Sequence, residues 1–99
     1  MVQYFFFHLM SWPYLPAGFD QDYDSAWVWL PNHLYDPVKG QALYRDYLDT
    51  LVSAEALGFD GICVNEHHQN AYGLMPSPNL IAAALTQRTR RCRIAVEFQ

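Results

Sequence analysis

The chain has 99 residues, of which 52% are apolar and 16% aromatic, and its formal net charge is −4. This length allows one domain at most, and the content of core-forming side chains excludes a disordered tail. The net charge argues against nucleic acid as a partner, because the one arginine cluster, at 88–93, is better explained by the C-terminal end of a helix. The charged fraction of only 16% indicates apolar surface that more chain or a partner would cover, so we expect self-association.

The first predicted element is a strand at 3–9, where the aromatic run QYFFFHL is typical of a strand buried on both faces. The N-terminal segment has no Lys or Arg and is too short to span a membrane, so we expect neither a signal peptide nor a membrane anchor. A long loop at 11–39 follows, and loops of this length in compact domains are usually lids or binding loops. Its aromatic side chains could stack on a planar ligand or, more commonly, pack the lid onto its own domain. They are Trp12, Tyr14, Trp27, Trp29 and Tyr35.

The remaining elements alternate between helix and strand. Apolar residues at helical spacing predict a helix over 41–57 that stops at Gly58, and a short strand follows at 61–64. After a polar loop at 65–76, Ser77 and Pro78 are typical of the first positions of a helix, predicted over 78–88, and a third strand is predicted at 93–98. The positions expected to face the core are Leu43, Tyr44, Tyr47, Leu48, Leu51, Val52 and Leu57 in the first helix, and Leu80, Ile81, Ala84 and Leu85 in the second. This order predicts an α/β fold of right-handed βαβ units with a parallel sheet.

The two cysteines, Cys63 and Cys92, lie in or beside apolar segments. Two such residues do not form a disulfide framework. We therefore predict reduced, buried thiols in a cytoplasmic protein.

The sharpest chemical signal is the run Glu66-His67-His68, directly after the second predicted strand. Ligands of α/β proteins bind beyond the carboxyl ends of parallel strands, and a histidine there can exchange a proton or donate a hydrogen bond. The alternative is a pair of solvated loop histidines. A metal site is disfavoured, because adjacent histidines point apart and the chain has no HExxH helix.

Two further residues are candidates because of their position at a strand end. His8 closes the aromatic first strand, where it could be a core histidine that bonds a backbone carbonyl or could equally line a pocket. Asn65 follows the second strand immediately.

The segment FDGICVNEHHQNAYGLMPSPNLIAAALTQRTRRCRIAV resembles the early part of the bacterial luciferase-like, flavin-dependent monooxygenase superfamily. The resemblance rests on the Glu-His-His loop after the second strand, then a glycine, a Ser-Pro step and an Ala-rich helix. These positions are Glu66, His67, His68, Gly73, Ser77, Pro78 and 82–84. The lid segment DYDSAWVWLPNHLYDPVKG also looks like one branch of that family.

The resemblance implies a (β/α)8 barrel that uses reduced FMN and molecular oxygen on a small organic substrate, with a flavin reductase as a possible partner. His67 inherits the catalytic role, and Glu66 and His68 are its supports. His8 and Asn65 are assigned to cofactor binding from their strand-end position alone. We expect no metal.

A barrel of this type needs roughly 250 residues and eight strands, whereas three strands and two helices are predicted here. We therefore expect residues 1–99 to be a partial luciferase-like monooxygenase domain, a truncated form that is inactive alone. The alternatives are a non-catalytic fragment or a small βαβ binding module.

Overall fold

A computed structural model describes residues 1–26 and 30–98. Its elements in chain order are β1 (Phe5–Phe7), α1 (Phe19–Asp22), a short 3-10 helix (Asn32–Leu34), α2 (Pro37–Ala56), β2 (Gly61–Asn65), α3 (Pro78–Thr86) and β3 (Arg93–Glu97). The strands form one parallel sheet in the order β1-β2-β3. The predicted α/β architecture with a three-stranded parallel sheet is thereby confirmed.

The two faces of this sheet have different surroundings. Ile62 and Val64 of β2 are fully buried on the face that α2 and α3 cover. Phe5 and Phe7 of β1 point to the opposite face, and they are 39% and 46% exposed. The prediction that β1 is buried on both faces is therefore wrong, because both helices pack on the same side. We call the uncovered side the open face.

Helix α2 begins four residues before the predicted start. The side chain of Asp36 accepts hydrogen bonds from the backbone N–H of Val38 and Lys39, at 2.9 and 3.2 Å, and Pro37 occupies the first helical position. This is a strong start signal that the apolar spacing does not contain. The predicted stop is confirmed, since Gly58 has a φ of 99° that other residues rarely adopt.

The helical faces follow the predicted pattern only in part. Leu51 and Leu85 are fully buried, but Leu57 and Leu80 are 78% and 72% exposed, so their predicted core positions are wrong. Leu57 follows the last residue of α2, and Leu80 lies on the side of α3 away from the sheet. Ala84 is exposed as well, and α3 ends at Thr86 rather than at 88.

The lid packs against α2 and the loop at 66–76. Its buried residues form a second core cluster with neighbours from both elements: Trp12, Phe19, Leu30, Leu43, Ala71 and Leu74. The Trp12 ring lies 5.0 Å from the ring of Tyr35, which agrees with a packing role for these two side chains. Trp27 and Trp29 lie outside the described residues.

The turn between α3 and β3 is organised around one carboxylate of α2. The Glu55 side chain accepts hydrogen bonds from the backbone N–H groups of Arg90, Arg91 and Cys92, which lower the pKa of its carboxyl group to about 2. The arginine cluster therefore belongs to a structural turn just after a helix, close to its predicted place. Both cysteines are free thiols and half-buried, and burial raises the pKa of each.

Leu51 offers a matched test of the core. Leu51→Ala should lower the free energy of unfolding by about 2–5 kcal/mol, because the side chain is fully buried. Leu57→Ala removes the same atoms from an exposed position and should change the free energy of unfolding by less than about 0.5 kcal/mol. Urea denaturation followed by circular dichroism measures both, and equal losses would contradict this core.

Candidate functional site

A cavity of about 370 Å³ lies at the carboxyl ends of the strands, on the open face. Asn65 and Glu97 are register partners there, which places them side by side. We call it the strand-end cavity, and its lining residues are Phe7, Leu9, Asn65, Glu66, His67, Glu97 and Phe98. The sheet thus brings together Asn65, Glu66 and His67, three of the five residues predicted from the sequence.

Asn65 is the best-buried polar group on the sheet side of this cavity. It is only 7% exposed, and its Oδ1 is buried and accepts no hydrogen bond from the described residues. An unsatisfied buried acceptor costs free energy, so such an atom is a natural partner for a donor on a ligand.

His67 is buried as well, at 5% exposure. Its backbone N–H donates to the carbonyl of Met75 at 2.8 Å, which ties the two ends of the loop together. Gly73 lies against its ring, and a Cβ atom at Gly73 would approach His67 Cδ2 to 2.6 Å. Only glycine fits there, which gives the Gly73 of the family pattern a physical reason.

Asn70 completes the surroundings of the His67 ring. It is 7% exposed, and its Nδ2 lies 3.4 Å from His67 Nδ1. Asn70 is not among the residues predicted from the sequence. The signal that could have found it is the Asn-x-x-Gly spacing, typical of a tight turn. Asn70 and Gly73 form an isolated bridge across that turn.

Glu66 and His68 are hydrogen-bonded, with 2.8 Å between Glu66 Oε1 and His68 Nε2. The His68 side chain is 58% exposed and does not line the strand-end cavity, whereas Glu66 does. An exposed pair of this kind contributes little to stability. It does orient the Glu66 side chain beside the cavity.

His8 lies on the other side of the sheet. Its ring packs 4.7 Å from the ring of Tyr47 in α2, and its Nδ1 accepts a hydrogen bond from the backbone N–H of Met10 at 2.9 Å. Burial lowers the pKa of His8. The histidine therefore shapes the end of β1, and it is not among the residues that line the cavity.

Glu97 is a further cavity residue that was not predicted from the sequence. Once β3 is placed in register with β2, Glu97 follows as the neighbour of Asn65, so only the strand register was needed to find it. Burial raises the pKa of Cys63, and the negative charge of Glu97 raises it further.

His67 also borders a second cavity, of about 320 Å³, between the lid and the loop at 66–76. Tyr35, Tyr44 and Asn70 are among its walls.

Over the part of the chain that the structure describes, no three His, Cys, Asp or Glu side chains come together as metal ligands. Within the same residues, no helix is long and apolar enough to cross a membrane.

A family model and one of two related proteins both point to monooxygenases. A family model described as luciferase-like monooxygenase matches residues 25–96. An uncharacterised protein of Sinorhizobium fredii is 45% identical over 58 residues, which are 56% of this chain and 17% of that protein. The 4-hydroxyprotoasukamycin monooxygenase of Streptomyces nodosus subsp. asukaensis is 34% identical over 64 residues, which are 65% of this chain and 17% of the enzyme. The chain thus matches 17% of the length of each of these relatives. No solved structure matches it significantly.

Proposed function

The chain belongs to the luciferase-like monooxygenase family, and from that premise we propose that it supplies the first three strands of the (β/α)8 barrel of a flavin-dependent monooxygenase. The parallel order β1-β2-β3 is the one such a barrel has. A sheet covered by helices on one face only suits a barrel wall, whose other face points inward. The observation that carries the proposal is the cavity at the carboxyl ends, where barrel enzymes bind their ligands, with Asn65 and His67 in its wall.

The residues of the strand-end cavity suit the ring of FMN. The apolar side chains of Phe7, Leu9 and Phe98 offer packing surface to a planar ring, and Asn65 Oδ1 lacks a donor that a ring N–H could provide. No Lys or Arg is among the described lining residues, so the phosphate group would bind outside this segment. When bound, reduced FMN would supply the electrons that activate molecular oxygen.

We assign the catalytic role to His67, because it is buried and borders both cavities. Glu66 and His68 act as supports, since the hydrogen bond between them orients Glu66 at the cavity wall. His8 contributes to cofactor binding indirectly, by fixing the turn that places Leu9 in the cavity.

A small organic molecule is the proposed substrate class. The monooxygenase of Streptomyces nodosus acts, by its name, on 4-hydroxyprotoasukamycin, which supports an organic substrate of that general kind. A flavin reductase that delivers reduced FMN and a cytoplasmic location complete the proposal. Residues 1–99 alone should not turn over, because much of the cavity wall and the phosphate site would come from other strands.

Flavin binding tests the proposal. In the intact protein, FMN fluorescence should change saturably on titration, and Asn65→Leu should weaken binding about tenfold, because it removes one buried hydrogen bond of about 1.4 kcal/mol. Asn79→Leu is the matched control, since Asn79 is exposed on α3. If the two variants bind FMN equally well, the cavity is not the flavin site.

A further inference from the structure

The turn that encloses His67 places the side-chain amide of Asn70 beside one of its ring nitrogens. We propose that Asn70 is a positioning residue that holds the neutral His67 ring with its proton on Nε2, so that His67 meets a ligand as a hydrogen-bond donor. The inference rests on the proposed role of His67. It concerns a property of the loop, however, that can be measured without flavin or substrate.

The orientation of the Asn70 amide is fixed by a backbone donor. The N–H of Tyr72 lies 3.0 Å from Asn70 Oδ1, and a backbone N–H can only donate. The oxygen of the amide must therefore face Tyr72. The other atom, Nδ2, lies 3.5 Å from the backbone carbonyl of His68, which can only accept. Both contacts require the same orientation.

The proton position on His67 follows from that orientation. Nδ2 of Asn70 carries only donors, and it lies 3.4 Å from His67 Nδ1. For these atoms to form a hydrogen bond, Nδ1 must be the acceptor and must carry no hydrogen. In a neutral imidazole, the single proton is then on Nε2.

The His67 ring is packed with Nδ1 on the Asn70 side and Cδ2 on the Gly73 side. Gly73 packs on the Cδ2 side of the His67 ring so closely that no Cβ would fit between them. The backbone N–H of His67 donates to the carbonyl of Met75, and Gln69, the residue before Asn70, has a left-handed φ of 54°. These contacts hold both sides of the His67–Asn70 pair.

The chemical consequence separates two roles that a histidine can have. With its proton on Nε2, the neutral ring can donate to an oxygen or nitrogen that gains negative charge, which is the charge-stabilising role of a fixed donor. It cannot accept a proton through Nδ1 while Asn70 donates there. The geometry therefore favours a donor over a general base at this position.

Nitrogen NMR of the histidine side chains in the intact protein, free of ligands, tests the proposal. We expect His67 Nε2 to resonate as a protonated nitrogen and Nδ1 as an unprotonated one. Asn70→Asp replaces the donor by an acceptor of the same shape and should reverse the pattern, so that Nδ1 carries the proton. Asn79→Asp is the matched control and should leave the His67 signals unchanged.

A protonated Nδ1 in the unmutated protein overturns the proposal, and so does an unchanged pattern in a folded Asn70→Asp variant. If that variant does not fold, the spectrum of the unmutated protein still decides. A merely structural role for Asn70 predicts lower stability without any reversal. Failure of the proposed function gives a different result, because an Nε2-protonated His67 in a protein that binds no flavin leaves this inference intact.

Discussion

Replacing His67 by alanine in the intact protein should lower its turnover by about 10²–10³-fold, the loss typical of removing one fixed donor from an active site. The side chain is 5% exposed and borders both cavities, so few other described groups could take its place. FMN binding should change much less, since the apolar wall and Asn65 remain. Oxygen uptake with reduced FMN and substrate, compared with an FMN titration, separates the two effects.

His33→Ala is the control for that experiment. His33 is exposed in the lid, where its Nε2 lies 3.3 Å from the hydroxyl of Tyr23, and it lines neither cavity, so turnover should stay near the unmutated level. His67→Gln should recover part of the loss, because its amide nitrogen can reach the position of Nε2 and donate. Unchanged turnover in His67→Ala would remove the catalytic role assigned to this residue.

The second large effect concerns residues 1–99 as a separate polypeptide. This chain should associate at micromolar concentration and bind a hydrophobic dye, because exposed apolar surface and unpaired strand edges promote both. Phe98 and Leu80 are 60% and 72% exposed, and β1 and β3 each have one edge without a partner strand among the described residues.

Light scattering at several concentrations measures the association. A particle mass well above the 11.5 kDa of one chain is the expected result, and the intact protein at the same molar concentration should bind much less dye. A single 11.5 kDa species with a cooperative thermal transition would support the alternative of a small independent binding module.

The sequence contained enough information for the order and type of the elements. Short apolar runs predicted the three strands, and apolar residues at helical spacing together with the start signal at Ser77 and Pro78 predicted helices α2 and α3. It could not predict which face of β1 would be covered. A strand rich in phenylalanine has the same composition whether helices pack on one face or on both, and here both helices pack on the Phe6 side.

The site was predictable to the extent that it depends on strand ends. Asn65 is the last residue of β2 and His67 lies two residues beyond it, so the rule for parallel sheets predicts both at the sheet edge where the cavity lies. His8 satisfies the same rule, yet it packs against Tyr47, because successive side chains of a strand point to opposite faces and His8 shares its face with Phe6. The contact of Asn70 with His67 depends on the shape of a loop, which apolar spacing does not describe.

The position of the flavin ring decides whether the strand-end cavity is the flavin site. In a crystal structure of the intact protein with FMN, we expect the ring to lie in the strand-end cavity, with a ring N–H within hydrogen-bond distance of Asn65 Oδ1 and with His67 beside it. A ring bound elsewhere, with Asn65 still lacking a donor, would contradict this assignment.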